Sequence, residues 1–332
     1  MISALLPIIV TVYVPVFAAI GVGALISRSL VWLGHRPGLG GAAVRGWQRR
    51  LPSLLSRYLY TVGIPLCVVN FVRVADLSAS VFLAPLVAWF AMGLALLVAW
   101  LVLKVTRRVV DASERGSVLL LSYIGNTSYL GFPVVLLLPQ LGHAYFSWAV
   151  LYDVFGTFFG AYGLGLVLAR WQVAASIPLW RRLLDAVLEL LRNPSLYAFA
   201  LGLALRPVDL PDPLLQVVST VAWASIMLCL VVMGMRLQQL TSWRHLRLAF
   251  QPVAIKMMVV PLVVATALTV FGLDGPPRLV LVLQASMPCG LATLVLAERY
   301  GLNRDRVVAA LGLSTLLMVV MVPIWVMLFT TW

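Results

Sequence analysis

Ser122-Tyr123-Ile124-Gly125-Asn126-Thr127-Ser128-Tyr129-Leu130-Gly131-Phe132-Pro133 lies in the middle of an apolar run, 116–138, long enough to cross a bilayer. A membrane span needs about 20 mostly apolar residues. This one carries polar side chains, two glycines and a proline at its centre, a composition that holds a continuous helix poorly. Gln284-Ala285-Ser286-Met287-Pro288-Cys289-Gly290-Leu291-Ala292-Thr293 repeats the pattern near the midpoint of a second run, 279–297. Irregular backbone at that depth is tolerated only where protein or a water-filled cavity satisfies its polar groups. Two such breaks in corresponding spans point to a binding site. Each leaves a half-helix N-terminus with unpaired backbone N–H groups and a positive dipole end near the midplane, which suits an anion such as a carboxylate. Asn126, Thr127, Ser128 and Ser286 can add side-chain donors. The plainer alternative is a pair of kinks filled by neighbouring side chains.

Composition sets the frame around these two stretches. Of 332 residues, 62% are hydrophobic and 11% charged, against roughly 25% charged in a soluble domain. A water-soluble globular chain is excluded. Apolar runs between charged or Pro/Gly-rich breaks fall at 4–26, 52–71, 79–103, 116–138, 144–169, 194–205, 214–235, 248–271, 279–297 and 306–329. The reading is an all-α polytopic membrane protein with ten transmembrane helices. The first run is longer than a signal-peptide core and has no basic segment before it, so it is expected to be a retained span.

The net charge of +13 would suggest a nucleic-acid partner in a soluble chain. Here the basic residues alternate between loops instead of forming one phosphate-binding face, so no nucleic acid is expected. Between Arg28 and Arg57, Lys104 and Arg115, Arg170 and Arg192, Arg236 and Arg247, and Arg299 and Arg306, one side collects twenty Lys and Arg; the other has Arg73, Arg206 and Arg278. Positive loops stay cytoplasmic, which predicts both termini outside a bacterial-type inner membrane. Cys67, Cys229 and Cys289 lie inside apolar runs without metal-ligand or redox spacing and read as small buried hydrophobes.

The longest connection, 171–192, places Trp180, Leu183, Leu184, Val187, Leu188 and Leu191 opposite charged residues at helical spacing. It reads as an amphipathic helix on the cytoplasmic leaflet of the lipid bilayer. It separates five spans in 1–170 from five in 193–332. Ile64-Pro65-Leu66-Cys67 answers Ile226-Met227-Leu228-Cys229, and Arg115 answers Arg278, at an offset of 162 to 163 residues. Because five is odd, the second set must be inverted relative to the first, a mark of secondary transporters. Helices four and nine are then the broken pair of two inverted five-helix repeats.

Gly125-Asn126-Thr127 with Gly131-Phe132-Pro133, Asn193-Pro194 leading to Gly202, Met287-Pro288 with Val295-Leu296-Ala297-Glu298-Arg299-Tyr300, and Leu313-Ser314-Thr315-Leu316 together resemble the auxin efflux carrier family. That family includes plant auxin exporters and bacterial permeases, some linked to malonate or malate. The resemblance runs over nearly the whole chain. It implies that spans four and nine cross at their broken prolines, that spans one, two, six and seven form a scaffold and the rest a mobile transport domain, and that scaffold helices form a homodimer. Carried over by motif, Pro133 and Pro288 are the crossover prolines and Asn126 the polar ligand. The loop 34–50 is longer than the resemblance leads one to expect, and Cys289 stands where plant members carry Gln after the proline.

Asp153 and Lys256 lie inside spans five and eight, roughly 14 Å and 12 Å from opposite faces at 1.5 Å per residue. A charge near the bilayer centre costs at least ~2.5 kcal/mol, so each is expected to face the bundle and find a partner. A structural ion pair between them is one reading. Titration of Asp153, or attraction of an anionic substrate by Lys256, is the other. Asn70, Ser314 and Thr315 fit cavity lining or interhelical hydrogen bonds equally, and Gly156, Gly160, Gly163 and Gly165 fit close helix packing.

His35, His143 and His245 all fall in loops, and no zinc-protease, paired-aspartate or nucleophile-and-base motif is present, so an enzyme is not expected. Nor is a channel, since nothing resembles a filter or a ring of charge. The expected function is a secondary carrier of a small organic anion, a carboxylate, by alternating access. Its substrate contacts are Asn126, Thr127, Ser128, Pro133, Ser286, Pro288, Cys289 and Gly290, with Asp153 and Lys256 for coupling or pairing. No cofactor or metal is expected, and a coupling proton or sodium ion is left open. The alternative is a membrane sensor of the same fold that binds such a ligand without carrying it.

Overall fold

The computed structural model describes residues 13–34, 41–75, 77–106, 111–165, 191–239 and 246–329, with single positions 168, 180, 184, 187 and 188. Among these residues the regular structure is helical and no strand occurs. In chain order the α-helices are α1 (Val14–Gly34), α2 (Gly41–Tyr58), α3 (Ile64–Val72), α4 (Leu83–Val105), α5 (Ala112–Tyr123), α6 (Phe132–Leu137) and α7 (Phe146–Tyr152). Then follow α8 (Pro194–Ala204), α9 (Asp212–Gln239), α10 (Leu246–Ala254), α11 (Val260–Val270), α12 (Gly275–Ser286), α13 (Ala292–Tyr300) and α14 (Arg304–Phe329). Wide π turns interrupt or join them at Leu59–Gly63, Thr127–Gly131, Asp153–Phe158, Gly160–Leu164 and Ile255–Val259.

Among the described residues, six stretches are long and apolar enough to cross a membrane: Val14–Gly34, Arg50–Val72, Ala79–Val105, Asp212–Leu237, Leu246–Val270 and Arg304–Phe329. Their outward residues, among them Leu25, Leu86, Leu262 and Val320, are large, apolar and exposed, which suits lipid and not water. The molecule is a multi-pass membrane protein. The remaining expected spans are shorter or interrupted. Span four divides into α5 and Thr127–Leu137, span nine into α12 and α13, span six is the eleven-residue α8, and span five passes from α7 through two wide turns. The amphipathic linker at 171–192 lies largely outside the described residues, as do 4–12 of the first span, His35 and His245. Trp180, Leu184, Val187, Leu188 and Leu191 are exposed.

The chain forms two compact units. The first comprises Met1–Ala75, Phe132–Phe146 and Pro194–Thr241, so it holds spans one, two, six and seven, the set the resemblance assigns to the scaffold, together with 132–146. Within it α1 packs on α9 almost backbone to backbone: a Cβ on Gly23 would strike the Val231 carbonyl, and one on Gly234 the Ile20 carbonyl. Small residues permit such an approach between membrane helices. Arg73 donates to the carbonyls of Leu205 and Val208, 3.3 Å each, while Arg206 donates to those of Val72 at 2.9 Å and Ala75 at 2.8 Å. Each arginine thus caps the other helix's C-terminal end, where the dipole favours a cation. His143 stacks on Phe71 with ring centroids 5.1 Å apart, a packing position.

The second unit comprises Asp76–Gly131, Ser147–Asn193 and Ser242–Trp332. Its interior is polar as well as apolar, burying Ser122, Asn126, Thr127, Asp153, Lys256 and Gln284. Gly156 and Gly160 do serve close packing, since a Cβ on either would strike Ala88 or Met92 of α4.

Candidate functional site

The site is built where α5 and α12 end. Ile124 leaves α5 in an extended conformation (φ −78°, ψ 114°), and Met287 leaves α12 in another (φ −58°, ψ 145°). The residues that follow pair antiparallel, Gly125 opposite Cys289. The Asn126 N–H donates to the Pro288 carbonyl at 2.7 Å, and the Gly290 N–H to the Ile124 carbonyl at 2.9 Å. Two short extended segments therefore cross within the second unit and satisfy backbone groups that apolar surroundings would otherwise leave unpaired at a cost of several kcal/mol. Gly290 permits the approach: a Cβ there would stand 2.8 Å from the Gly125 carbonyl oxygen. Beyond the crossing, the Asn126 carbonyl accepts from Leu130 and Gly131 and opens the turn Thr127–Gly131, whereas α13 restarts directly at Ala292.

Pro288 stands in the crossing, as expected. Pro133 does not. The crossing on span four is made by Ile124, Gly125 and Asn126, and Pro133 is the second residue of α6, in the first unit. Pro133 lies within the helical stretch Thr127–Leu137, where the wide turn Thr127–Gly131 passes into α6, and a proline there has no N–H to give a carbonyl one turn back.

The hydroxyl donors also have other employment than expected. Thr127 Oγ1 donates to Asp153 Oδ1, and Ser128 Oγ to Asp153 Oδ2 at 2.6 Å. Ser286 Oγ donates to the Leu283 carbonyl of its own helix at 2.9 Å, and the Cys289 thiol to the Leu121 carbonyl at 3.3 Å. The Cys289 N–H is taken by Ser314 Oγ at 3.1 Å, which assigns Ser314 to holding the crossing in place.

Asp153 and Lys256 do not pair. Asp153 receives the two hydroxyls, while Lys256 Nζ donates to the Ala285 carbonyl, 3.0 Å away, at the C-terminal end of α12. Similar depth is one coordinate; the two side chains meet different partners. The ammonium complements the negative end of the α12 dipole. It also stands against the crossing, with Nζ 3.2 Å from where a Gly125 Cβ would be. Lys256 is 3% exposed and has one hydrogen-bond acceptor for three donors. Both residues sit in wide turns, Asp153–Phe158 and Ile255–Val259, a distortion frequent at functional sites.

Gln284 lies in the same polar interior and is not singled out by the sequence. Its side chain is fully buried, neither amide atom has a hydrogen-bond partner, and it lies where a Cβ on Gly131 would collide with it. A buried amide left unpaired costs roughly 1–3 kcal/mol per group. The available signal was the residue type alone, a glutamine inside an apolar span.

An all-helical membrane protein whose two broken helices cross around buried polar groups has the build of a transporter. The family model described as "Membrane transport protein" matches residues 48–326. The chain belongs to that family, the one its motifs resemble. A similar protein, described as an uncharacterized transporter of Methanothermobacter thermautotrophicus, is 27% identical over 280 residues, covering 82% of this chain and 87% of its own.

Proposed function

We propose that this protein is a secondary carrier that moves a small organic anion, a carboxylate, by alternating access around the crossing of spans four and nine. The observation that carries the reading is the buried ammonium of Lys256, beside Gly125 with two donors uncommitted. A charge so buried is expensive without a partner, and a carboxylate at the crossing supplies one. The unpaired amide of Gln284 adds donors nearby in the sequence of α12, and Asn126 marks the crossing itself. Ten spans in two inverted repeats, 1–170 and 193–332 with the linker 171–192 between them, fit the pair of breaks and the odd number of spans in each half. Both termini then lie outside the inner membrane. Arg73, Arg206 and Arg278, the three basic residues on the outer side, are each committed to helix ends or to Asp274, so that side offers few free positive charges.

The test is flux of labelled malonate, malate and indole-3-acetate in proteoliposomes, alongside Asn126→Ala. Saturable flux of one of them, reduced at least ~10-fold in the variant, is expected for a polar contact of about 1.5 kcal/mol or more. Binding without flux would favour a sensor, and neither binding nor flux would overturn the substrate class.

A further inference from the structure

We infer that Asp153, with the hydroxyls of Thr127 and Ser128, is the site at which this carrier takes up a proton together with its anion. The inference rests on the carrier reading above, but its first test needs no substrate. Asp153 is 6% exposed, and each carboxylate oxygen accepts one hydroxyl. Among the described residues, the segments packed against Asp153–Phe158 include Leu83–Val105, with Lys104, Thr127–Gly131, with Tyr129, and Gly160–Leu164; the side chains that bond to Asp153 there are Thr127 and Ser128. Two neutral hydroxyls do not balance a charge held away from water, and the inexpensive way to remove that charge is to bind a cation.

Hydrogen-bond capacity says what the proton would do. An ionised carboxylate only accepts, so it consumes the single donor of both Thr127 and Ser128. A proton taken from a hydronium ion on one side of the membrane forms one O–H bond at Asp153 and leaves water behind. The carboxyl is then itself a donor, and one hydroxyl proton is released to turn elsewhere. Thr127 and Ser128 directly follow Asn126 at the crossing, so a released hydroxyl becomes a donor for an anion there. Proton and anion therefore favour each other's binding, and the coupling is reciprocal. On the opposite side the same O–H bond breaks, and the proton returns to water.

The first experiment is infrared difference spectroscopy of the full-length protein in liposomes, without substrate, across a pH titration. A carboxylic C=O band that comes and goes with pH in the wild type, is absent from Asp153→Asn and is present in Asp153→Glu is the expected result. A band unchanged by Asp153→Asn, or none at any pH where the protein stays helical by circular dichroism, overturns the inference. The second is pH-driven accumulation of labelled malonate against its counterflow exchange. Their ratio is expected to fall at least ~10-fold in Asp153→Asn, within the usual range of coupling, and partly to recover in Asp153→Glu. Accumulation driven by a sodium gradient instead, or a ratio unmoved by Asp153→Asn, overturns it. If none of the tested anions moves while the band titrates and is lost in Asp153→Asn, the carrier reading has failed and the proton site stands.

Discussion

The two broken helices look alike in sequence and differ in charge. At span four, the turn that follows the crossing offers two hydroxyls to a carboxylate, Asp153. At span nine, the helix that precedes it ends on an ammonium, Lys256. Both placements obey one rule, an anion near a helix's positive end and a cation near a negative one. The rule is met by residues from spans five and eight, which the breaks themselves do not announce. A matched pair of breaks therefore provides a frame, and the neighbouring helices decide what each end attracts.

The comparison is broken most severely at the crossing itself. Gly290→Ala places a methyl group 2.8 Å from the Gly125 carbonyl oxygen, so the two crossing segments must separate. Flux is expected to fall ~100-fold or more, as displacements of about 1 Å in a binding geometry do, with tracer flux as the measurement. Lys256→Met removes the charge from one break and leaves the other. The concentration for half-maximal flux should rise roughly 10- to 100-fold, the loss expected for a hydrogen bond to a charged group. An unchanged value would remove Lys256 from the site.

Smaller effects sharpen the contrast. Arg206→Ala, in the first unit, uncaps the Val72 and Ala75 carbonyls. It should cost about 1–3 kcal/mol and lower the thermal midpoint by several degrees, with half-saturation of transport unmoved. Pro133→Ala should change flux by less than ~3-fold, because Pro133 lies outside the crossing and alanine is well tolerated in a helix. Pro288→Ala, in the crossing, should exceed it clearly, and equal effects would return Pro133 to the crossover.

Much of the frame was legible. Both breaks fall where Gly125 and the pair Pro288 and Gly290 predict them, because poor helix formers act within a turn of their own position. Pro133, which the family motif marks as a crossover proline, lies further along the chain, inside the helical stretch Thr127–Leu137, and the crossing is made at Gly125. Thr127, Ser128 and Ser286 were legible as polar, yet their hydroxyls are occupied by Asp153 and Leu283. Depth brought Asp153 and Lys256 together on paper. In the structure they meet different partners, the Thr127 and Ser128 hydroxyls and the Ala285 carbonyl.

By itself the amino-acid sequence determined that this chain lives in a membrane, where its long apolar helices fall and where two further apolar runs fail as continuous helices. Those properties follow from run length, hydropathy and backbone preference, all of which act over fewer than about 25 residues. Only the tertiary structure decided that Gly125 meets Cys289, that Ser314 holds the Cys289 N–H, and that Gln284 lies against Gly131 with its amide unpaired. Each of those contacts joins residues more than 20 positions apart, and one residue of helical register turns a side chain by about 100°, so no local pattern can set them.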